Sequence, residues 1–308
     1  MKRAVLLAAV CLLALHAHAA TYYVIVAGLG GEPDYEQRFV AAANDLDRIF
    51  KSAGPAAHVY TLKGAQATTA QLRDAMSTVA RDTKAEDDFV LILIGHGSFD
   101  GVEYKFNLAG PDATAGEIAA MCDRIASRRQ LIVDTTSASG GALQALEKPG
   151  RAVIAATKSG TEKNATVFVR YWIEALQDPS ADTDKSDSVS AIEAFRYATQ
   201  KTAAFYDAEK RLATEHAVFN DVGHGEPVRE AGNSQGMLLS SFPLLRLGAS
   251  QLAANDPAKR ALLDKKEELE QKIDILKYQK AAMDPLDYRK QLTDALVELA
   301  KVQEKLDR

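Results

Sequence analysis

Cysteine is nearly absent. The 308 residues contain two, Cys11 and Cys122, and only Cys122 lies beyond the N-terminal leader described below. One thiol cannot form an intrachain disulfide, even in an oxidising compartment. Long apolar runs are missing too: Ala4 to Leu15 is a run of twelve, whereas a spanning helix needs about 20 residues. No membrane insertion is therefore expected. A basic excess is also lacking, with 37 Lys and Arg against 42 Asp and Glu. Loss of Lys2 and Arg3 with the leader leaves 35 against 42, a net charge of −7. That balance argues against nucleic acid or an anionic membrane as partner, since both require basic surface.

What is present begins with the leader. Met1-Lys-Arg precedes the apolar run, and Ala17-His-Ala19 follows it as a small-x-small cleavage signal. Residues 1–20 read as a secretory signal peptide. Cys11 sits inside the run and is followed by two leucines, which does not suit a lipid anchor. A periplasmic or secreted protein is expected.

Two strands organise the remainder. Phe89-Val-Leu-Ile-Leu-Ile runs into Gly95-His-Gly-Ser98, and Leu131-Ile-Val-Asp runs into Thr135-Thr-Ser-Ala-Ser-Gly-Gly141. Unbroken apolar runs joined by a helical pattern read as neighbouring parallel strands, with a site at their carboxyl ends. Further strands are expected at Tyr22 to Ala27, His58 to Leu62 and Arg151 to Ala156, and a small hairpin arm at Val102 to Asn107. Helices are expected at Tyr35 to Ser52, Thr69 to Asp82, Asn164 to Leu176 and Ala191 to Leu212. With right-handed crossovers this gives a three-layer α/β/α domain with a mostly parallel sheet over residues 21–250.

A strand ending in His-Gly, followed by one ending in a nucleophile, x, Ser-Gly, resembles the caspase/legumain superfamily of cysteine peptidases. The resemblance spans about residues 21–240. His96-Gly97 matches the first motif. In the second, the nucleophile position falls on Ser137, where the family has cysteine, 41 residues (137 − 96) after His96, against about 50 in caspases. The resemblance implies a caspase-like fold, His96 as base and Ser137 as nucleophile. Gly97 and the Ser137 amide would form the oxyanion hole, with Ser139 and Gly140 supporting it. Lys158 and Ser159, in the loop after the fifth strand, would line a substrate pocket. A peptide or protein is the implied substrate or ligand, and no cofactor is expected.

A serine hydroxyl is much harder to ionise than a thiol and needs an oriented base. Asp134 is near in sequence, but strand alternation does not show that it reaches His96; Thr135 and Thr136 are further hydroxyls. Two functions therefore stand: a catalytically silent relative that binds peptide, and an active peptidase or acyl-transfer enzyme using Ser137 and His96.

Other motifs read more plainly. Cys122 lies on the apolar face of a helix with Ile118, Met121 and Ile125, so it is a core thiol. Gly28-Leu-Gly-Gly31 is a tight turn, because Pro33 and Asp34 stand where a dinucleotide loop would continue. Phe168, Tyr171 and Trp172 read as core. Gln177 to Ser190 reads as a linker or surface loop. Thr214 to His224 holds Glu215, His216, Asp221 and His224 without zinc-ligand spacing; it also looks like a degraded acidic calcium loop with His224 where a carboxylate is wanted, and reads first as a polar turn. From 256 to 308, Leu262, Leu269, Ile273, Leu276, Leu292, Leu296, Leu299 and Leu306 form a helical hairpin with a coiled-coil-like seam, broken at Asp284-Pro285. The hairpin would clamp its own domain, self-associate or bind a partner; its pattern does not choose among these.

Overall fold

The computed structural model describes residues 19–232 and 235–308; the leader expected over residues 1–20 lies, up to residue 18, outside the described residues. The elements run β1 (Thr21–Ala27), α1 (Pro33–Lys51), β2 (Ala57–Leu62), α2 (Thr69–Asp82), β3 (Asp88–Ile94), β4 (Gly97–Phe99), β5 (Tyr104–Phe106), β6 (Ala113–Thr114), α3 (Ala115–Cys122) and β7 (Arg129–Asp134). Then follow α4 (Leu143–Leu146), β8 (Arg151–Ala155), α5 (Phe168–Ala175), β9 (Ser188–Ser190), α6 (Ala191–Ala208), β10 (Val218–Asn220), α7 (Met237–Ser240), β11 (Pro243–Arg246), α8 (Gly248–Asn255), α9 (Pro257–Gln279) and α10 (Pro285–Leu306).

Six strands form the central sheet in the order β10-β8-β7-β3-β1-β2. The first five in the chain pair in parallel and β10 closes the edge antiparallel to β8. Side-chain alternation splits β1 between the two faces: Tyr23, Ile25 and Ala27 pack with Phe50, Phe168, Trp172 and Phe195, while Tyr22, Val24 and Val26 pack with Leu72, Met76, Phe106 and Ile118. Helices cover both faces, which is why β3 is buried from end to end and reads as a continuous apolar run. The three-layer α/β/α class read from the sequence is the observed one.

Several elements differ from the expectation. The arm starts at Gly97 and has three antiparallel strands, β4, β5 and β6. α5 begins at Phe168 rather than Asn164, because the buried Glu215 carboxylate accepts the backbone N–H groups of Val167 and Phe168 and so caps the helix there. Thr214 to His224 is more than a turn: its centre is β10, joined to β8 through the pairs Val218–Ala155, Phe219–Ile154 and Asn220–Val153. Gln177 to Ser190 is not a linker. It carries β9, which pairs with β11, and Val189 within it is fully buried.

The hairpin of α9 and α10 is present. Asp284 caps α10 by accepting from Leu286 and Asp287, with Pro285 in the first turn, where its missing N–H costs nothing. On α9 the buried apolar positions are Leu263, Leu269, Ile273 and Leu276, so Leu263 takes the place expected of Leu262. On α10 they are Ala295 and Val302, while Leu296 is 48% exposed. α9 docks on its own domain, through Arg246 bridging the Glu267 carboxylate and Lys266 donating to the Ser186 carbonyl. No helix among the described residues is long and apolar enough to cross a membrane.

Candidate functional site

β3 and β7 are adjacent, and their registers bring Leu93 opposite Asp134. The two loops that follow meet through Gly97 and Ser137, not through His96. Gly97 N–H donates to Ser137 Oγ at 3.1 Å, and the Ser137 hydroxyl donates to the Gly97 carbonyl at 3.0 Å. The hydroxyl is thus bracketed by one peptide unit on each side of Gly97, and Ser137 is only 2% exposed.

The bracket rests on a buried polar network. Asp134 Oδ1 accepts from the Thr136 amide at 3.1 Å and from the Thr136 hydroxyl at 2.7 Å. The Tyr104 hydroxyl lies 2.6 Å from Thr136 Oγ1. Asp134 Oδ2 has no partner, and complete burial raises the pKa of this carboxyl from 3.8 to about 6. Thr135 donates its hydroxyl to the Leu93 carbonyl, tying β7 to β3. None of these groups reaches the imidazole of His96 among the described hydrogen bonds.

His96 faces the other way. Its half-buried ring meets the rings of Tyr35 and Phe39 edge-on, at 4.7 and 5.1 Å between centroids, and is hydrogen-bonded to the Gly30 backbone. Burial holds its pKa below the ordinary histidine value, with Arg38 acting in the same direction against the Gly30 bond and Glu32. A neutral imidazole has the protonation state of a base. Its described partners, however, are α1 and the Gly28–Gly31 turn rather than Ser137.

Ala138 follows in the left-handed region at φ 58°, and its N–H donates to the Glu162 carbonyl. Ser139 and Gly140 then bind Thr157: the two hydroxyls are 3.1 Å apart, and Gly140 N–H donates to Thr157 Oγ1 at 2.9 Å. A Cβ on Gly140 would stand 2.2 Å from Ser159 N, so only glycine lets the 158–159 backbone approach so closely. Lys158 and Ser159 therefore do border the Ser137 loop. Lys158 Nζ is exposed and sits 3.8 Å from Glu162, a contact of small net worth. The Ser159 hydroxyl pairs with that of Thr161.

The sequence reading missed Tyr104 and Glu162. Tyr104 lies on the arm, which gave no motif. Glu162 binds His216 Nδ1 at 2.5 Å and accepts the amides of Lys158 and His216, knitting the Lys158 loop to the segment that leads into β10. The four ionisable side chains of 214–224 diverge: Glu215 caps α5, His216 meets Glu162, Asp221 accepts from Gly236, Leu238 and Leu239, and His224 contacts Val222. Cys122 is free and buried in the core, with burial pushing its thiol up to about 12.

No protein-family profile matches the chain, and no curated protein matches its sequence. Among solved structures, it is similar to protein GSU0716 from Geobacter sulfurreducens, with 14% identity over 75% of this chain and 99% of that one, at a TM-score of 0.48. It is also similar to the Drosophila initiator caspase Dronc, with 11% identity over 68% of this chain and 81% of that one, at a TM-score of 0.44. Neither likeness reaches a TM-score of 0.5, and neither bears on activity.

Proposed function

We propose that this chain is an exported, catalytically silent relative of the caspase/legumain peptidases that holds a peptide at the carboxyl edge of its sheet. One observation carries the silence: both hydrogen-bonding directions of the Ser137 hydroxyl are taken by the Gly97 backbone in a buried setting. A nucleophile must give its proton to a base, and this hydroxyl gives it to the Gly97 carbonyl while His96 is held among Tyr35, Phe39 and Gly30. The competing reading, hydrolysis by Ser137 and His96, draws on the Gly97 N–H beside Ser137, a position suited to an oxyanion donor. It requires the hydroxyl to leave both bonds and His96 to leave its aromatic partners.

The surface around the Ser137 loop supports peptide binding. Leu29 is exposed in the turn whose Gly30 meets His96, and the Lys158 cation is exposed on the other side. An apolar group and a cation flanking a backbone-rich loop suit an extended peptide with an acidic side chain. Screening the full chain on an immobilised peptide array tests this. Acidic peptides are expected to be retained uncut, and Lys158→Glu is expected to weaken them about two- to fivefold, the scale of an exposed ion pair. Equal retention of acidic and basic peptides by wild type and variant would refute the assignment.

A further inference from the structure

From the α5–α6 connection into the first turn of α6 runs Asp182-Thr-Asp-Lys-Ser-Asp-Ser-Val-Ser-Ala-Ile-Glu193, twelve residues with oxygen-bearing side chains at the first, third, fifth, seventh, ninth and twelfth places. We propose that this loop is a calcium site, ligated by the carboxylates of Asp182, Asp184 and Glu193, the hydroxyls of Ser186 and Ser190 and the backbone carbonyl of Ser188. The ligand order is that of the 12-residue EF-hand loop, which uses positions 1, 3, 5, the carbonyl of 7, position 9 and a bidentate Glu at 12. The sixth place needs a sharp turn and usually has glycine. Here it is Asp187, held at φ 62°, a conformation that aspartate tolerates better than most side chains.

Two observations independent of that spacing point to a cation. The first is distance: Asp182, Asp184 and Glu193 each offer an oxygen, and these lie within 4.8 Å of one another. Oxygens that share a calcium ion bound at 2.3–2.6 Å are at most about 4.6–5.2 Å apart, so one ion can contact all three. The second is charge. Asp182 is 5% exposed and Glu193 4%. Among the described residues, no Lys, Arg or His forms an ion pair with either one or with Asp184. The two lysines that reach the loop donate to backbone carbonyls instead, Lys185 to Asp182 and Lys266 to Ser186. Backbone amides of Ser186, Asp187, Thr183, Asp184 and Ser190 orient the buried carboxylates but bring no charge. Glu215 and Asp221 are likewise buried without a cationic side chain, so what sets this loop apart is the convergence of three carboxylates at one point.

The donors are all oxygen, which selects a hard cation over zinc or copper. A flexible loop with more than five donors favours calcium over magnesium, which demands a tight octahedron. Three carboxylates with two neutral hydroxyls place the dissociation constant in the range of extracellular modules, about 10⁻⁴ to 10⁻³ M. The site also touches the hairpin: Lys266 of α9 holds the Ser186 carbonyl, and Leu247 N–H, at the end of β11, donates to the Asp187 carbonyl. Calcium binding would therefore tighten the docking of α9.

Calorimetric titration of the chelator-treated full chain with calcium chloride tests this. One calcium per chain is expected, at least about tenfold tighter than magnesium. Asp184→Asn and Glu193→Gln are each expected to weaken it about tenfold or more, because ligand charge tunes affinity in such loops. Asp184 is exposed, so its variant reads binding without a folding defect. A calcium-dependent rise in the wild-type melting temperature is expected alongside. The proposal is overturned if wild type shows neither saturable heat nor a melting shift up to about 10 mM calcium, ten times the weakest expected constant, or if both variants bind as wild type does.

Discussion

Gly97→Ala is expected to destabilise the fold by about 3 kcal/mol or more, at the top of the range for overpacking. The added methyl would lie 2.4 Å from the Ser137 carbonyl oxygen, 2.5 Å from the Tyr104 ring and 2.7 Å from Thr136 Oγ1. None of these is a free side-chain end: one is backbone, and the other two belong to the buried network under Ser137. Gly101 in the same arm is the control. It has a positive φ of 105° but open space around it, so Gly101→Ala should cost only about 1 kcal/mol, for conformation alone. Urea denaturation of both variants beside wild type makes the comparison. Equal midpoints for the two would show that the loops do not meet as closely as described.

The second large effect is a pH dependence from Asp134. Its folded pKa of about 6 lies above the ordinary 3.8 because the carboxyl is fully buried. Between those values the folded chain keeps a proton that the unfolded chain has lost, so the stabilisation is complete below about pH 4 and disappears as pH rises through about 6. Two pK units correspond to about 3 kcal/mol. Asp134→Asn cannot ionise. Relative to wild type it should gain about 3 kcal/mol between pH 4 and pH 7, followed by denaturant midpoints across that range. Parallel curves would mean that the carboxyl is solvated or paired in the folded chain.

Much of the architecture was legible because it depends on short-range rules. β3 and β7 announce themselves by apolar runs, and α2 matches its expected span, Thr69 to Asp82, because Thr68 caps it by accepting from Gln71. The adjacency of the Gly97 and Ser137 loops was also readable from two motifs on neighbouring strands. What the chain could not reveal is which atoms face each other. Whether Ser137 is presented or bracketed depends on long-range packing of the arm, and the direction of His96 depends on Tyr35 and Phe39 in α1. Gln177 to Ser190 reads as a linker because Asp, Ser and Thr are polar by composition, yet Ser188–Ser190 pair with β11 and bury Val189. β10 was too short, at three residues, to show a period.

The direct test of a silent site is to incubate the full chain with a complex peptide mixture and read the products by mass spectrometry, beside His96→Ala and Ser137→Ala. The bracketed hydroxyl predicts no new termini from wild type above the blank. Specific cuts by wild type that vanish in both variants would contradict the account and make Ser137 and His96 a working catalytic pair.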